Sequence, residues 1–234
     1  MSMRLAVLPP RGSALGFASW AREMAALTRV TLSPPPFPTG SLPRGDGRAV
    51  LVIPGFLTGD WSTTRLREFL RGIGYRVERA KLQLNAGPTK GILARLEDRL
   101  MHLNVESGAP VALVGQSLGG VFARELAHKY PDKVRCVVTL CSPIRFPVIS
   151  PLVPFVRALA WAYEPSWIAR MEGIALPPRA PVTAIYSKGD GLVDWRQCLQ
   201  DDGPGCENIP VDGSHAGMGS NPAAQAVMAR VLAR

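Results

Sequence analysis

The residues of this sequence that could carry out chemistry centre on a serine between two glycines. This is Ser117, in the segment G-Q-S-L-G over residues 115–119. A serine hydroxyl is a poor nucleophile at neutral pH and becomes reactive when a neighbouring base accepts its proton and a third group orients that base. If Ser117 is a nucleophile, the chain must therefore supply both a base and an acid.

His215 is the candidate base among the three histidines of the chain. His102 and His128 fall within helical patterns, which favours surface positions for both. His215 instead lies in a glycine-flanked loop over residues 212–217, after the last predicted strand. A loop in that position could bring the imidazole to Ser117.

The elements that must position Ser117 are a strand and the helix directly after it. The apolar run over residues 111–114 is typical of a strand buried on both faces of a parallel sheet, and residues 121–128 show the spacing of an amphipathic helix. Gly115 and Gly119 have no Cβ atoms, so strand and helix can cross closely and the serine can adopt a strained backbone. Ser117 is therefore predicted at a sharp turn.

This strand, turn and helix resemble the nucleophile turn of the α/β-hydrolase fold family, in particular its bacterial lipases and esterases. The resemblance implies a mostly parallel central sheet with helices on both faces and a helical cap insertion. Other apolar patterns agree with such a sheet, because they predict strands over residues 49–53, 75–82, 134–140, 182–186 and 207–211.

The resemblance also implies an acid that lies between the serine and the histidine in chain order. The loop after residues 182–186 contains Asp190-Gly191-Leu192-Val193, which looks like the acid turn of bacterial lipases. We therefore predict Asp190 as the acid and keep Asp194 in reserve. The alternative role for Asp194 is an acidic residue at a helix N-terminus.

Two backbone N–H groups should stabilise the oxyanion in a site of this kind. Leu118 supplies one, directly after the nucleophile. The other comes from the turn after the first core strand, where the family commonly has His-Gly-X and this chain has Pro54-Gly55-Phe56. This difference from the family pattern removes the histidine side chain and keeps the Phe56 amide. The resemblance to the family spans about residues 49–234.

The implied function is hydrolysis of a small-molecule or lipid-like carboxylic ester through an acyl-enzyme, without a metal or organic cofactor. Thioester or amide cleavage and acyl transfer remain alternatives, because they differ in pocket shape and use the same triad. A non-catalytic binding protein on the same fold is the alternative from another functional class.

Length and composition predict one main domain. The chain has 234 residues, of which 47% are hydrophobic, enough for one well-buried core. Residues 1–47 are predicted as a helix, over 12–32, and a Pro-rich arm, which packs on the sheet or contributes to a homodimer contact or a site flap. Residues 48–234 form the predicted hydrolase domain. Within it, residues 144–178 form either a cap over the site or two core-packed helices.

Charge and polarity exclude some partners. The net charge is +9, but the basic residues are scattered and lack interleaved aromatic residues, so nucleic-acid binding is not predicted. The most apolar N-terminal stretch, residues 14–30, is too short and too charged to span a bilayer. With no secretory signal pattern at the N-terminus, a cytoplasmic location is expected.

The four cysteines show no C-x-x-C spacing and no neighbouring histidine, so a zinc site has little support. Cys136 lies in an apolar run and is interpreted as a core residue. Cys198 and Cys206 bracket a short polar loop and could form a disulfide. Whether they do depends on the cellular compartment, which the sequence leaves open.

Overall fold

A parallel β-sheet forms the centre of the computed structural model, which describes residues 17–33, 35–38 and 41–234. Its strands are β1 (Ala49–Ile53), β2 (Arg76–Arg79), β3 (Val111–Gln116), β4 (Val134–Leu140), β5 (Val182–Tyr186) and β6 (Cys206–Pro210). These six strands lie in the order β2-β1-β3-β4-β5-β6, and every neighbouring pair is parallel. This confirms the predicted fold class.

Helices cover both faces of this sheet, as predicted. Side chains of a strand alternate between the two faces, so Val50 and Val52 of β1 pack in one apolar cluster and Leu51 and Ile53 in the other. The helices are α1 (Phe17–Leu32), α2 (Thr64–Gly72), α3 (Lys90–Ser107), α4 (Leu118–Lys129), α5 (Val153–Leu159), α6 (Pro165–Ile174) and α7 (Pro222–Leu232). The first cluster contains residues of α2 and α7, and the second contains residues of α3, α4 and α6.

The N-terminal arm packs on the rest of the molecule where it is described. The predicted helix over residues 12–32 is observed as α1 from Phe17, and residues 12–16 lie outside the described residues. Phe37, in the Pro-rich stretch, packs on Phe69 of α2 with ring centroids 5.9 Å apart. The guanidinium of Arg65 lies 3.6 Å from the centre of the same Phe37 ring, a cation–π contact.

Residues 144–178, which we call the insertion segment, contain α5 and α6. Helix α6 packs on α4, the helix that follows Ser117, with the rings of Trp167 and Phe122 edge to face at 5.8 Å. The fully buried Arg124 of α4 donates hydrogen bonds to the carbonyls of Ile174, Ala175 and Leu176 and to the side chain of Gln200. Burial lowers the pKa of Arg124 to about 10, so the group stays charged at neutral pH and holds the end of α6 against α4.

All four cysteines are free thiols in this structure. Cys136, Cys141 and Cys198 are buried and Cys206 is partly exposed. The bridge that the sequence left open between Cys198 and Cys206 is therefore not formed here.

Among the described helices, none combines the length and the apolar character that crossing a bilayer requires.

Candidate active site

Ser117 occupies a strained turn between β3 and α4. Its backbone has φ 53° and ψ −124°, in a region that costs a non-glycine residue about 1–3 kcal/mol. The surrounding structure holds the turn, because the Ser117 amide donates to the Leu140 carbonyl at 2.8 Å, at the end of the neighbouring strand β4. The predicted sharp turn at this serine is confirmed.

The glycines on either side of Ser117 are required by close packing. A Cβ atom on Gly115 would lie 2.3 Å from the carbonyl of Gly119, and one on Gly119 would lie 2.2 Å from the carbonyl oxygen of Ile53. A larger residue at either position would push α4 away from the sheet and displace Ser117. This agrees with the reason that the sequence suggested for both glycines.

His215 and Asp190 come from loops that follow adjacent strands. The loop after β5 carries Asp190 and the loop after β6 carries His215, so parallel pairing brings them to the same edge of the sheet. The distance from His215 Nδ1 to Asp190 Oδ2 is 2.7 Å, and both side chains are buried. The other Asp190 oxygen accepts hydrogen bonds from the amides of Leu192 and Val193, both at 2.8 Å, which aims the carboxylate.

The two groups of this pair shift each other's protonation. Burial raises the pKa of Asp190, but the charge and hydrogen bond of His215, together with the Val193 and Leu192 amides, leave it lower than usual. Burial likewise lowers the pKa of His215, but the Asp190 carboxylate outweighs it, with a smaller contribution from Glu23, and the net pKa is raised. The two shifts favour an ionised Asp190 beside a protonated His215, and a protonated imidazole is what a histidine becomes when it acts as a general base.

Asp194, the reserve acid, has a different environment. Its side chain caps a short 3₁₀ turn, Trp195–Cys198, by accepting a hydrogen bond from the Arg196 amide at 3.0 Å. The Arg196 guanidinium lies 3.4 Å from the same oxygen. The structure thus brings Asp190 to His215 and gives Asp194 the helix-terminal role that the sequence offered as its alternative.

Ser117 and His215 lie on the wall of one cavity of about 150 Å³. Phe56 and Leu118, the two predicted oxyanion residues, line it as well. More than half of the lining residues belong to the insertion segment, and most of them are apolar, including Phe146, Val153, Val156, Trp167, Ile168 and Met171. The other two histidines lie elsewhere: His102 pairs with Glu106, and His128 contacts the Leu176 carbonyl.

The two predicted oxyanion amides lie at turns beside the serine. Leu118 begins α4, where amide groups have no carbonyl partner within the helix. The turn with Phe56 packs directly on the nucleophile, since a Cβ atom on Gly55 would lie 3.2 Å from Ser117 Cβ. The fully buried Asn85 holds this turn by donating from its side chain to the Pro54 carbonyl at 2.9 Å.

Sequence reasoning missed three residues that support the site. Asn85 holds the Phe56 turn, Gln116 donates from its side chain to the His215 carbonyl at 3.1 Å, and Glu23 of α1 accepts hydrogen bonds from the histidine loop. None of the three is marked by a local signal: Ser19 and Glu23 lie four residues apart on α1, but this helix also carries Arg22 and Arg29, so neither stands out in the sequence as a buried polar residue. Both are buried.

Cys141, Asp190 and His215 form the one group of possible metal ligands found in the described part of the chain, with ligand atoms within 4.8 Å of one another. Asp190 and His215 are already hydrogen-bonded at 2.7 Å, which is too close for an ion to lie between them at ordinary metal–ligand distances. Burial raises the pKa of the Cys141 thiol well above its usual range, so this ligand is protonated. The geometry fits a hydrogen-bonded pair better than a metal centre.

Comparisons with known proteins agree with this architecture. A family model described as alpha/beta hydrolase fold matches residues 107–159, which contain Ser117. A comparison with curated protein sequences finds no match. Among solved structures, lipase B of Aspergillus fumigatus is similar at 17% identity and a TM-score of 0.66, covering 85% of this chain. This chain spans 56% of the length of that lipase chain.

Two further similar structures carry other hydrolase names. An esterase of Pyrococcus furiosus is 16% identical, with a TM-score of 0.60 over 80% of this chain and 82% of the esterase. A thioesterase domain from the curacin biosynthetic pathway is 16% identical, with a TM-score of 0.54 over 80% of this chain and 91% of the domain. The chain is thus similar to lipases, esterases and thioesterases, and it has the α/β-hydrolase fold that its sequence predicted.

Proposed function

We propose that this protein is a serine hydrolase that cleaves carboxylic esters through an acyl-enzyme. The observation that carries the proposal is the His215–Asp190 hydrogen bond of 2.7 Å beside the cavity that Ser117 also lines. Because Asp190 accepts the Nδ1 proton, Nε2 of the neutral imidazole is the basic nitrogen. This arrangement supports His215 as the base that accepts the proton of Ser117.

In this mechanism Ser117 Oγ attacks the ester carbonyl while His215 Nε2 accepts its proton. The amides of Phe56 and Leu118 stabilise the oxyanion, and the protonated His215 then gives its proton to the leaving alcohol. Water hydrolyses the acyl-enzyme with His215 again as base. Asp190 holds the tautomer and stabilises the charged imidazole throughout.

The apolar cavity supports an acyl group of medium or longer chain as the substrate, with the insertion segment as a cap. Each methylene buried from water contributes about 0.8 kcal/mol, which corresponds to roughly a fourfold gain in kcat/KM. We therefore expect kcat/KM for p-nitrophenyl esters to rise from acetate through butyrate to hexanoate or octanoate. A flat profile, or a preference for acetate, would contradict this substrate class.

A variant tests whether the insertion segment contacts the acyl chain. Ala160 lines the cavity, and Ala160→Phe should narrow it. The change should lower kcat/KM for octanoate and leave acetate within about twofold of the wild type. Equal losses on both esters would argue against an acyl chain at this position.

The pH dependence follows from the raised pKa of His215. The base must be neutral to accept the serine proton, so kcat/KM should fall as the pH decreases through a value above the ordinary histidine pKa of about 6.5. The measurement is kcat/KM for one uncharged p-nitrophenyl ester across buffers of constant ionic strength. An acidic limb centred below that ordinary value would show that the carboxylate does not act on His215 as proposed.

Thioester cleavage would use the same residues, and the similarity to a thioesterase domain makes it the first alternative. Oxygen and sulfur esters of one acyl chain distinguish the two activities by their kcat/KM values.

A homodimer contact through the N-terminal arm stays a separate prediction, for which sedimentation of the purified protein is the test.

A further inference from the structure

Glu23 is a buried carboxylate that the proposed mechanism does not use. It lies on α1 and is 2% exposed. Its Oε1 accepts hydrogen bonds from the amides of Gly191 and His215, both at 2.9 Å, and its Oε2 accepts one from Ala216 at 3.0 Å. Burying a carboxylate is costly unless it is well hydrogen-bonded, and three amide donors to one carboxylate form a charge-assisted set.

The three donors belong to the two loops that carry the acid and the base. Gly191 directly follows Asp190, and the other two amides are those of His215 and its neighbour Ala216. We propose that Glu23 is a positioning residue of the triad: from the N-terminal helix, its carboxylate ties the acid turn to the histidine loop and so maintains the geometry between Asp190 and His215. This inference rests on the proposed hydrolase function.

Helix α1 is closely packed on the acid turn at this point. A Cβ atom on Gly191 would lie 2.8 Å from Glu23 Cγ and 2.8 Å from the Ser19 carbonyl oxygen. On the other loop, a Cβ atom on Gly217 would lie 3.4 Å from Val30 Cγ2. Helix α1 therefore contacts both loops directly. The Glu23 hydrogen bonds join the helix to two loops that already pack against it.

The charge of Glu23 also acts on His215. Among the described residues, the ionisable groups around this imidazole are Asp190 at Nδ1, Cys141 in the same buried group, and Glu23 at the backbone of the loop. The thiol is neutral, since its pKa is raised well above the usual range by burial. Glu23 adds to the effect of Asp190 in raising the pKa of His215, so removing its charge should lower that pKa.

The main test is Glu23→Gln, which keeps the size of the side chain. Glutamine retains one acceptor oxygen, but its NH₂ group cannot accept a hydrogen bond from the third backbone amide. Two N–H donors would then face each other without an acceptor. We expect kcat on the best-cleaved p-nitrophenyl ester to fall about 10- to 100-fold, with KM changed less than about threefold, because loss of alignment affects the chemical step. The acidic limb of kcat/KM should move to lower pH.

Two controls separate positioning from general effects of the substitution. Glu68→Gln removes the same charge at an exposed site on α2 and should change neither kcat nor the pH profile. Histidine NMR of Glu23→Gln, with His215 assigned by substitution, reads the pKa of His215 without any turnover. A lower kcat together with a lower pKa of His215 in the variant supports the proposal, and an unchanged kcat or an unchanged pKa overturns it.

A second variant disturbs the same contact from the opposite side. Gly191→Ala places a methyl group against Glu23 and should reproduce the loss of kcat with the Glu23 carboxylate still present. Gly91→Ala is the matched control, because a Cβ atom there meets nothing within 4 Å. If both Glu23→Gln and Gly191→Ala melt below the assay temperature, Glu23 acts in folding and the positioning role is wrong.

The wild-type assay distinguishes this inference from the proposed function. A wild-type protein that cleaves no ester would contradict the hydrolase proposal, and the NMR titration would then still decide whether Glu23 acts on His215. A wild-type protein that cleaves esters, with full turnover by Glu23→Gln, would contradict the Glu23 inference alone.

Discussion

Ser117→Ala should reduce kcat for ester hydrolysis by about 10⁶-fold, the size of loss seen when a triad nucleophile is removed. The fold should persist, because the change removes one hydroxyl and leaves the strained backbone, φ 53°, as it is for serine. Hydrolysis of a p-nitrophenyl ester measures the loss, and circular dichroism checks the fold.

A fluorophosphonate probe provides a second measurement on the same variant. The wild type should be labelled and Ser117→Ala should not. Ser150→Ala is the matched control, since Ser150 lines the same cavity but has no role in the proposed chemistry, and it should be labelled like the wild type. Turnover or labelling that survives in Ser117→Ala would contradict the assignment, and a folded wild type without labelling would favour a binding protein.

Asp190→Asn is expected to lower kcat by about 10⁴-fold, because an asparagine no longer stabilises the charged imidazole and can favour the wrong tautomer. Asp190 Oδ2 is 2.7 Å from His215 Nδ1, and its second oxygen is held by two amides. Asp194→Asn should cost less than about tenfold, since Asp194 caps a 3₁₀ turn through Arg196.

Both aspartate variants are compared on one ester at one pH, after circular dichroism confirms folding. The opposite ranking would move the acid to Asp194. Two equally small effects would mean that neither carboxylate orients His215 during catalysis.

Strand positions show where sequence patterns succeed and where they fail. The strands predicted over 49–53, 134–140 and 182–186 are observed with those bounds, because each is a mostly apolar run followed by a turn segment that contains proline or glycine. The strand predicted over 75–82 is observed only as Arg76–Arg79. Ala80 and Leu82 continue the apolar pattern, but they pack in the cluster with α3 instead of extending the ladder.

The candidate site shows the same division. Local segments, together with the chain order of the family that the sequence resembles, indicate the serine, the histidine and the first-choice aspartate, and the structure brings the aspartate to the histidine. The insertion segment was only partly predictable: its composition indicated apolar helices, but which cavity they line depends on the packing of α6 on α4. Asn85 had no local signal, because its partners lie at the end of another strand.

The sequence by itself determined the local conformations and the chemistry available to this protein. Glycine spacing, apolar period and chain order depend on neighbouring residues, so they indicate a strained serine turn, a parallel sheet and loops that carry an acid and a base. Only the tertiary structure decided that Glu23 joins those loops, since its hydrogen bonds connect residues 168, 192 and 193 positions apart. Contacts over such separations depend on how the elements pack together, and no local pattern of residue types encodes that packing.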